Sequence, residues 1–551
     1  MSAGNDVWGR EVVRREGGGT PFLVYEPRLH NLRDLFACGM RWDTRLHVVD
    51  GIWRVTFRDI HDRATRMAVL LRSHGVQPGQ RVLLLGRNSA SWIVSFWAIV
   101  ESGGVAVLGN AWWSGEEIHH AVSVTEPVLV LADDDLRSRV PDDVDVMALD
   151  GHFDDDESHE VVSPPPPPSS HHEDDPALIL FTSGSTGLPK GAVLSHRACI
   201  ALQHSLLHRT NRLPDQLGAD FARDVNLQTG PLFHIGGVQG IVRAWLLGAT
   251  IVLTGGRFDP AEILRLIEAE GVCRWGAVPT MVGRLLDCPD FARRDVSSLR
   301  SLTIGGSAVP QQLIDRVQGQ LPNARRGVSQ IYGLSEAGGT LTMASARDLG
   351  EHPGTVGHPL PIVELRIDAP DSSGVGEIVA RSPAQMSGYW AQPDDTTIDP
   401  AGWLRTGDLG RVDQHGFLYV TGRTKDVIIR GGENIASAHV ETALSSHDAV
   451  AETAVVGLLD PDLGEIVGAV VALREGSVQV TSADLARHAR DRLAYFEVPT
   501  RWWIHPGRLP VTASGKIDKV ALVRSFPPAE RGVGGARPSR EADTMTEVPR
   551  S

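Results

Sequence analysis

Hydrophobic and polar positions along this chain switch between a period that suits buried strands and one that suits amphipathic helices. Arg81 to Leu85 is a short apolar run that predicts a strand, and the stretch from about Ser89 to Glu101 reads as a helix. Ala177 to Phe181 predicts a further buried strand. The cleanest unit starts with Thr250 to Leu253 as a strand. Asp259 then offers a helix cap, Pro260 a first helical position and Glu262 the second half of a capping box. Ile263, Leu264 and Ile267 share one helix face, Gly271 ends the helix, and Val272 to Val278 begins the next strand. This is a βαβ unit, and the alternation predicts an α/β fold of layered sheets and helices.

Two stretches break the pattern. Residues 154–175 hold an acidic run, five prolines from Pro164 to Pro168 and the pair His171-His172, and predict a solvated, partly polyproline linker. The two histidines read as surface residues rather than metal ligands. The tail from about Pro527 to Ser551 is rich in Pro, Gly, Arg and Glu without periodic apolar residues, and predicts disorder.

Composition narrows the class. At 551 residues the chain is too long for one ordinary core, so two or more domains are expected. A net charge of -15 argues against nonspecific nucleic-acid binding, so an anionic ligand must be held by local cations and backbone donors. Cys38, Cys199, Cys273 and Cys288 lack CxxC spacing and suggest neither a zinc site nor a disulfide framework. Trp92 to Leu108 is apolar but broken by Glu101 and Gly103-Gly104, which speaks against a transmembrane segment. The N-terminus carries early Asp and Glu and no apolar core, which speaks against a secretory signal. A cytoplasmic enzyme is the expectation.

The most informative run is Leu180-Phe-Thr-Ser-Gly-Ser-Thr-Gly-Leu-Pro-Lys-Gly191. A buried strand empties into hydroxyls and glycines, whose exposed N–H groups suit a phosphate, and Lys190 adds a positive charge. Lys190 is followed by Gly191 rather than by Ser or Thr, so this is not the P-loop pattern. Further motifs follow in order. They are Pro231-Leu-Phe-His-Ile-Gly-Gly237, Gly305-Gly-Ser-Ala-Val-Pro310 and Tyr332-Gly-Leu-Ser-Glu336. Then come Trp403 to Asp408, Gly422 to Asp426, Gly431 to Ile435, and Leu509 to Lys519. Taken singly, several would pass as turns, core residues or surface ion pairs.

Together, and over roughly residues 30–525, they resemble the adenylate-forming superfamily, which includes acyl-CoA synthetases, adenylation domains of peptide synthetases and luciferases. The resemblance implies a large layered α/β domain up to about Thr424 and a small mobile α+β domain over 425–526. It also implies a phosphate loop built from Thr182, Ser183, Gly184, Ser185, Thr186, Gly187 and Lys190. Gly305, Gly306 and Ser307 would border adenine and the acyl pocket, and Tyr332, with Gly333, would stack on adenine. Ser335 stands where the family usually has Thr and would bond the α-phosphate. Glu336 would hold Mg²⁺, a hard cation that prefers carboxylate and phosphate oxygen. Asp408 would accept from the ribose hydroxyls, and Arg423 would meet ribose or phosphate. Lys425 falls at the hinge, although a surface ion pair with Asp426 is the ordinary reading of such a residue. His234 and Gly237 would line the acyl pocket near the carboxylate, with Gly338 and Gly339 giving room, while Phe233 suits the core equally well. Lys516 would bridge carboxylate and α-phosphate, and Lys519 reads as structural. His439 replaces a frequent Glu, and Ala436-Ser437 replaces Tyr-Pro, near the implied thiol channel.

The implied activity is ATP-dependent conversion of a carboxylic acid to an acyl-adenylate, then transfer to coenzyme A. A separate carrier protein, an amine acceptor and activation of nitrite stay open, as do aliphatic against aromatic acids and an oligomeric state.

Overall fold

The computed structural model describes residues 7–17, 20–149, 172–182, 188–218, 221–477 and 480–528. The predicted strand at Arg81–Leu85 forms, and Ser89 caps the helix Ala90–Ser102 by accepting from the Trp92 N–H. That helix is buried on nearly every side because it is packed into the core beneath two sheets, with Trp92, Phe96 and Trp97 fully enclosed.

The first sheet has six strands, in the order Lys190–Ser195, Pro176–Thr182, Val105–Gly109, Arg81–Leu85, Leu129–Ala132 and Val146–Ala148. All neighbours are parallel except the first pair, which folds back antiparallel across the hydroxyl-rich loop. The second sheet has nine strands. Its parallel centre runs Val328–Leu334, Ser301–Gly305, Arg274–Ala277, Val225–Gln228, Thr250–Leu253 and Leu46–Asp50, with antiparallel strands at both edges. One apolar core joins both sheets, and Phe36, Trp97 and Trp245 stack within it at centroid distances of 4.8 and 5.0 Å. Parallel strands covered on both faces must be apolar throughout, which is why these runs are so legible.

The capping box and the solvated linker need correction, while the βαβ unit forms with another strand inserted. The helix Pro260–Glu270 is capped by Asp259, but its carboxylate accepts from the Ala261 N–H and no capping box forms. Glu262 is drawn instead to Arg265, with two contacts of 2.7 Å, since an i,i+3 ion pair competes for the same carboxylate. The strands on either side of this helix are parallel but not neighbours, because Val225–Gln228 lies between them. The described end of the acidic stretch is docked rather than solvated: Glu173 meets Arg28 at 2.7 Å and Asp174 pairs with Arg197. The rest of that stretch, 150–171, and the tail from 529 lie outside the described residues.

A four-stranded antiparallel sheet, Glu364–Asp368, Gly376–Arg381, Leu404–Val412 and Leu418–Arg423, leads to the C-terminal part. After a single turn at Thr424–Asp426 the chain enters a five-stranded sheet with helices Ser437–Ser445, Ser482–Arg490 and Lys519–Ser525. This smaller unit has its own core around Ile428, Ile435, Val440 and Val467. It docks on helices Pro279–Leu286 and Gln311–Gln320. Arg284 meets buried Glu452 at 2.8 Å, and Gln312 donates to the Ser446 carbonyl at 2.9 Å. Among the described residues no helix is long and apolar enough to cross a membrane.

Candidate active site

The parallel strands of the second sheet end at Gln228, Ala277, Gly305 and Leu334, and their C-terminal ends open onto one cavity of about 1790 Å³. Open parallel sheets place ligands at this edge because the loops there leave a crevice. Thr182 and Lys190 border it from the first sheet, and Arg423, Lys425 and Lys516 close it from the C-terminal side. Ser183, Gly184, Ser185, Thr186 and Gly187 lie outside the described residues.

Lys516 reaches deep into the cavity. A Cβ built on Gly306 would lie 3.4 Å from its Cε and 3.9 Å from its Nζ, so the lysine rests over the glycine turn. Its turn is fixed to the large domain, since the Thr280 hydroxyl donates to the Gly515 carbonyl. The side chain keeps accessible surface, but that surface faces the cavity. Burial, and then the Arg423 charge, holds its ammonium below the ordinary lysine range, while Asp408 and Glu336 pull the other way.

Asp408 is buried. It accepts from the Tyr332 hydroxyl at 2.8 Å and from Arg423 Nε at 2.7 Å. Burial raises its carboxyl above the usual range despite both partners. Glu336 stands on the short turn Ser335–Ala337 and accepts from the Tyr389 hydroxyl at 2.9 Å. Lys190 Nζ, next to the phosphate-loop strand, lies 4.9 Å from the Tyr389 ring centroid and 3.8 Å from Asp395. Tyr389 thus ties the phosphate-loop strand to the Glu336 turn, and the sequence reading missed it. The only signal was an aromatic pair, Tyr389-Trp390, after Gly388 in a stretch that otherwise reads as loop.

His234 is the N-cap residue of the helix Ile235–Leu247 and borders the cavity. Burial, and then the Lys516 charge, pushes its imidazole down to about 4, so the ring is neutral near pH 7. Gly237 packs against the preceding turn, where an added Cβ would come within 2.4 Å of the Pro231 carbonyl oxygen. Phe233 is buried in the core and touches the cavity as well. Gly305, Gly306, Gly333, Ser335 and Gly339 all border the cavity, whereas Ser307 and Gly338 are not part of its wall. Ser307 is exposed, and Gly338 is turned away so that its carbonyl accepts from Gln239. Lys519 pairs with Glu441 at 2.7 Å inside the small domain, a structural contact.

Comparison with known proteins agrees with this geometry. Residues 37–390 match the family described as AMP-binding enzyme, and residues 439–516 match the AMP-binding enzyme C-terminal domain. A feruloyl-CoA synthase from Amycolatopsis is 33% identical over 492 residues, covering 86% of this chain and 94% of its own. An O-succinylbenzoate coenzyme A synthetase from Bacillus subtilis, solved with ATP and magnesium ion, superposes with a TM-score of 0.73 at 28% identity, covering 88% and 98% of the two chains. An amide bond synthetase from Marinactinospora thermotolerans gives 0.76 at 27% identity, covering 90% and 100%.

Proposed function

Because the chain belongs to the AMP-binding enzyme family of adenylate-forming ligases, we propose that it activates a carboxylic acid with ATP and passes the acyl group to coenzyme A. The observation that carries this reading is the convergence of Lys516, Glu336 and Arg423 on one cavity, with buried Asp408 behind its wall bonded to Arg423 and Tyr332.

A carboxylate does not acylate a thiol directly, because oxide is a poor leaving group. In the first step a carboxylate oxygen attacks the α-phosphorus of ATP, the bond to pyrophosphate breaks, and an acyl-adenylate forms. Lys516, Thr182 and Ser335 border the space where phosphoryl charge would build, and a fixed cation or donor there is worth about 10² to 10³ in rate. Lys190 adds charge beside the phosphate-loop strand. Asp408 and Arg423 suit ribose hydroxyls and neighbouring phosphate oxygens. Glu336 presents a carboxylate at the cavity wall that fits a hard cation, and Mg²⁺ held there with the phosphates would offset their negative charge. Neutral His234 offers a hydrogen bond at the join of the nucleotide and acyl ends without adding charge. In the second step the thiol attacks the acyl carbon and AMP leaves. We assign thiol entry to the face around Gly431 and Gly432 after the small domain turns about Lys425, a hinge motion of a common kind.

Pyrophosphate–ATP exchange across aliphatic and aromatic acids, then repeated with coenzyme A while thioester is followed by mass, tests this. Acid-dependent exchange followed by thioester is the expected result. Exchange without thioester would move the acceptor to an amine, which the likeness to an amide bond synthetase favours as the second reading.

A further inference from the structure

The helix Ile235–Leu247 turns Gly236, Gln239, Gly240 and Arg243 toward the cavity, residues three and four apart that share one face. His234, at the helix start, lies within reach of the Lys516 charge. Arg243 is nine residues farther on, about 13 Å along the axis at 1.5 Å per residue. The sheet gives the same depth. Arg274 begins a strand whose other end leads to Val278, beside Gly306, again about 13 Å away at 3.3 Å per residue. Arg243, Arg274 and Asn226 therefore mark the end of the cavity remote from Lys516.

Charge at that end is out of balance. Asp224 accepts from Arg274 at 2.6 Å and is also paired with Arg212. Arg243 finds only the Thr210 hydroxyl, at 3.4 Å, and no carboxylate among the described residues reaches salt-bridge distance from it. Three guanidinium groups thus share one carboxylate. Burial, and then Arg274 and Arg212, pushes Arg243 down to about 10, which leaves it protonated near pH 7. Gly236 leaves the wall open, since a Cβ there would have no atom within 4 Å. A half-buried cation without a carboxylate partner is costly, and a cavity lined by one is matched by an anion.

We propose that the far end of this cavity binds a second anionic group of the substrate, so that the preferred acid is dicarboxylic, with Arg243 as the specificity-determining residue. The proposal rests on the reading of this cavity as the site of acid activation. The test compares a homologous series of α,ω-dicarboxylic acids, aliphatic and aryl-linked, with their monomethyl esters in pyrophosphate exchange. Wild-type kcat/KM should favour the diacid of best length by about 10- to 100-fold, the range for a hydrogen bond to a charged partner. Arg243→Met should bring that ratio toward one, and Arg243→Lys should keep part of it. Thermal melting of Arg243→Met should not drop, because an uncompensated half-buried charge is removed. If that variant fails to fold, the wild-type ratio alone decides. Exchange with monoacids but no preference for any diacid overturns this proposal and leaves the proposed function standing. Exchange with no acid of either kind overturns both.

Discussion

Of two glycine-containing turns in the small domain, one faces the cavity and the other does not. The turn closed by the Val511–Ile517 bridge sends Lys516 over Gly306 and is fixed by the Thr280 hydroxyl. The hairpin Val427–Arg430 with Glu433–Ala436 puts Gly431 and Gly432 at its tip, where Gly432 is exposed with nothing within 4 Å of an added Cβ. Gly431 reaches only its own domain, donating to the Leu463 carbonyl at 2.8 Å. One turn delivers a charge to the reacting groups, and the other presents bare backbone to solvent. The two elements therefore differ in docking: the first is bonded to the large domain and, among the described residues, the second is not. The arrangement seen here suits the first half-reaction.

The largest effect should come from Lys516→Ala. Loss of its charge is expected to lower pyrophosphate exchange by about 10² to 10³. Thioester formation from supplied acyl-adenylate should survive, and equal loss of both steps would end the division of labour. A second variant sets the scale. Under the proposed function Asp408 serves the nucleotide in both half-reactions, so Asp408→Asn should weaken both steps alike. The expected rise in the KM for ATP is about 10- to 100-fold, the worth of hydrogen bonds to a charged group. Protonated Lys516 is the useful form and its ammonium is held low, so exchange should fall with rising pH earlier than an ordinary lysine would dictate. In Arg423→Met that alkaline limb should move to higher pH, because the cation that depresses Lys516 is gone.

The residues expected at the nucleotide stand out in the sequence because they sit in unbroken runs at the ends of strands, where one stretch of backbone can supply several contacts. Tyr332 to Glu336 and Trp403 to Asp408 needed no knowledge of packing. The far end of the cavity is assembled from Asn226, Arg243 and Arg274, which belong to two strands and one helix and read singly as ordinary core or surface residues. Tyr389 was hidden for the same reason, since its partners Lys190 and Glu336 lie far away in sequence. Glu262 shows the opposite failure. The local pattern was right for a capping box, but a neighbouring arginine competed successfully for the carboxylate. The parallel strands Arg81–Leu85, Pro176–Thr182 and Thr250–Leu253 appeared plainly as apolar runs, while the mixed Val225–Gln228, inserted between the two strands of the βαβ unit, depended on long-range packing.

Gly432→Val examines the outward turn. Its φ of 93° is left-handed, a conformation that costs an L residue about 1–2 kcal/mol, and more for a β-branched one. Thioester formation from acyl-adenylate should fall about tenfold, the rate equivalent of roughly 1.4 kcal/mol. Pyrophosphate exchange should keep its rate, because the turn does not border the cavity in the arrangement that serves adenylation. A loss confined to exchange would reverse the assignment of the two turns.

The smallest effect should come from Asp287, which joins the domains. Its carboxylate meets Arg316 of the large domain at 2.7 Å, and Arg508 and Arg474 of the small domain at 2.6 and 3.3 Å. Burial opposes its charge, but Arg508 and Arg316 hold it below the usual carboxylate range. Asp287→Ala leaves three guanidinium groups facing one another across the interface, which should bias the small domain away from the arrangement that places Lys516. The contact is partly open to solvent, so a shift of about 1 kcal/mol, or roughly fivefold in population, is expected. Exchange should slow by that factor, thioester formation from acyl-adenylate should hold or rise, and added salt should narrow the difference by screening the arginines. Parallel slowing of both steps would mean that Asp287 supports the fold and does not govern which turn is presented.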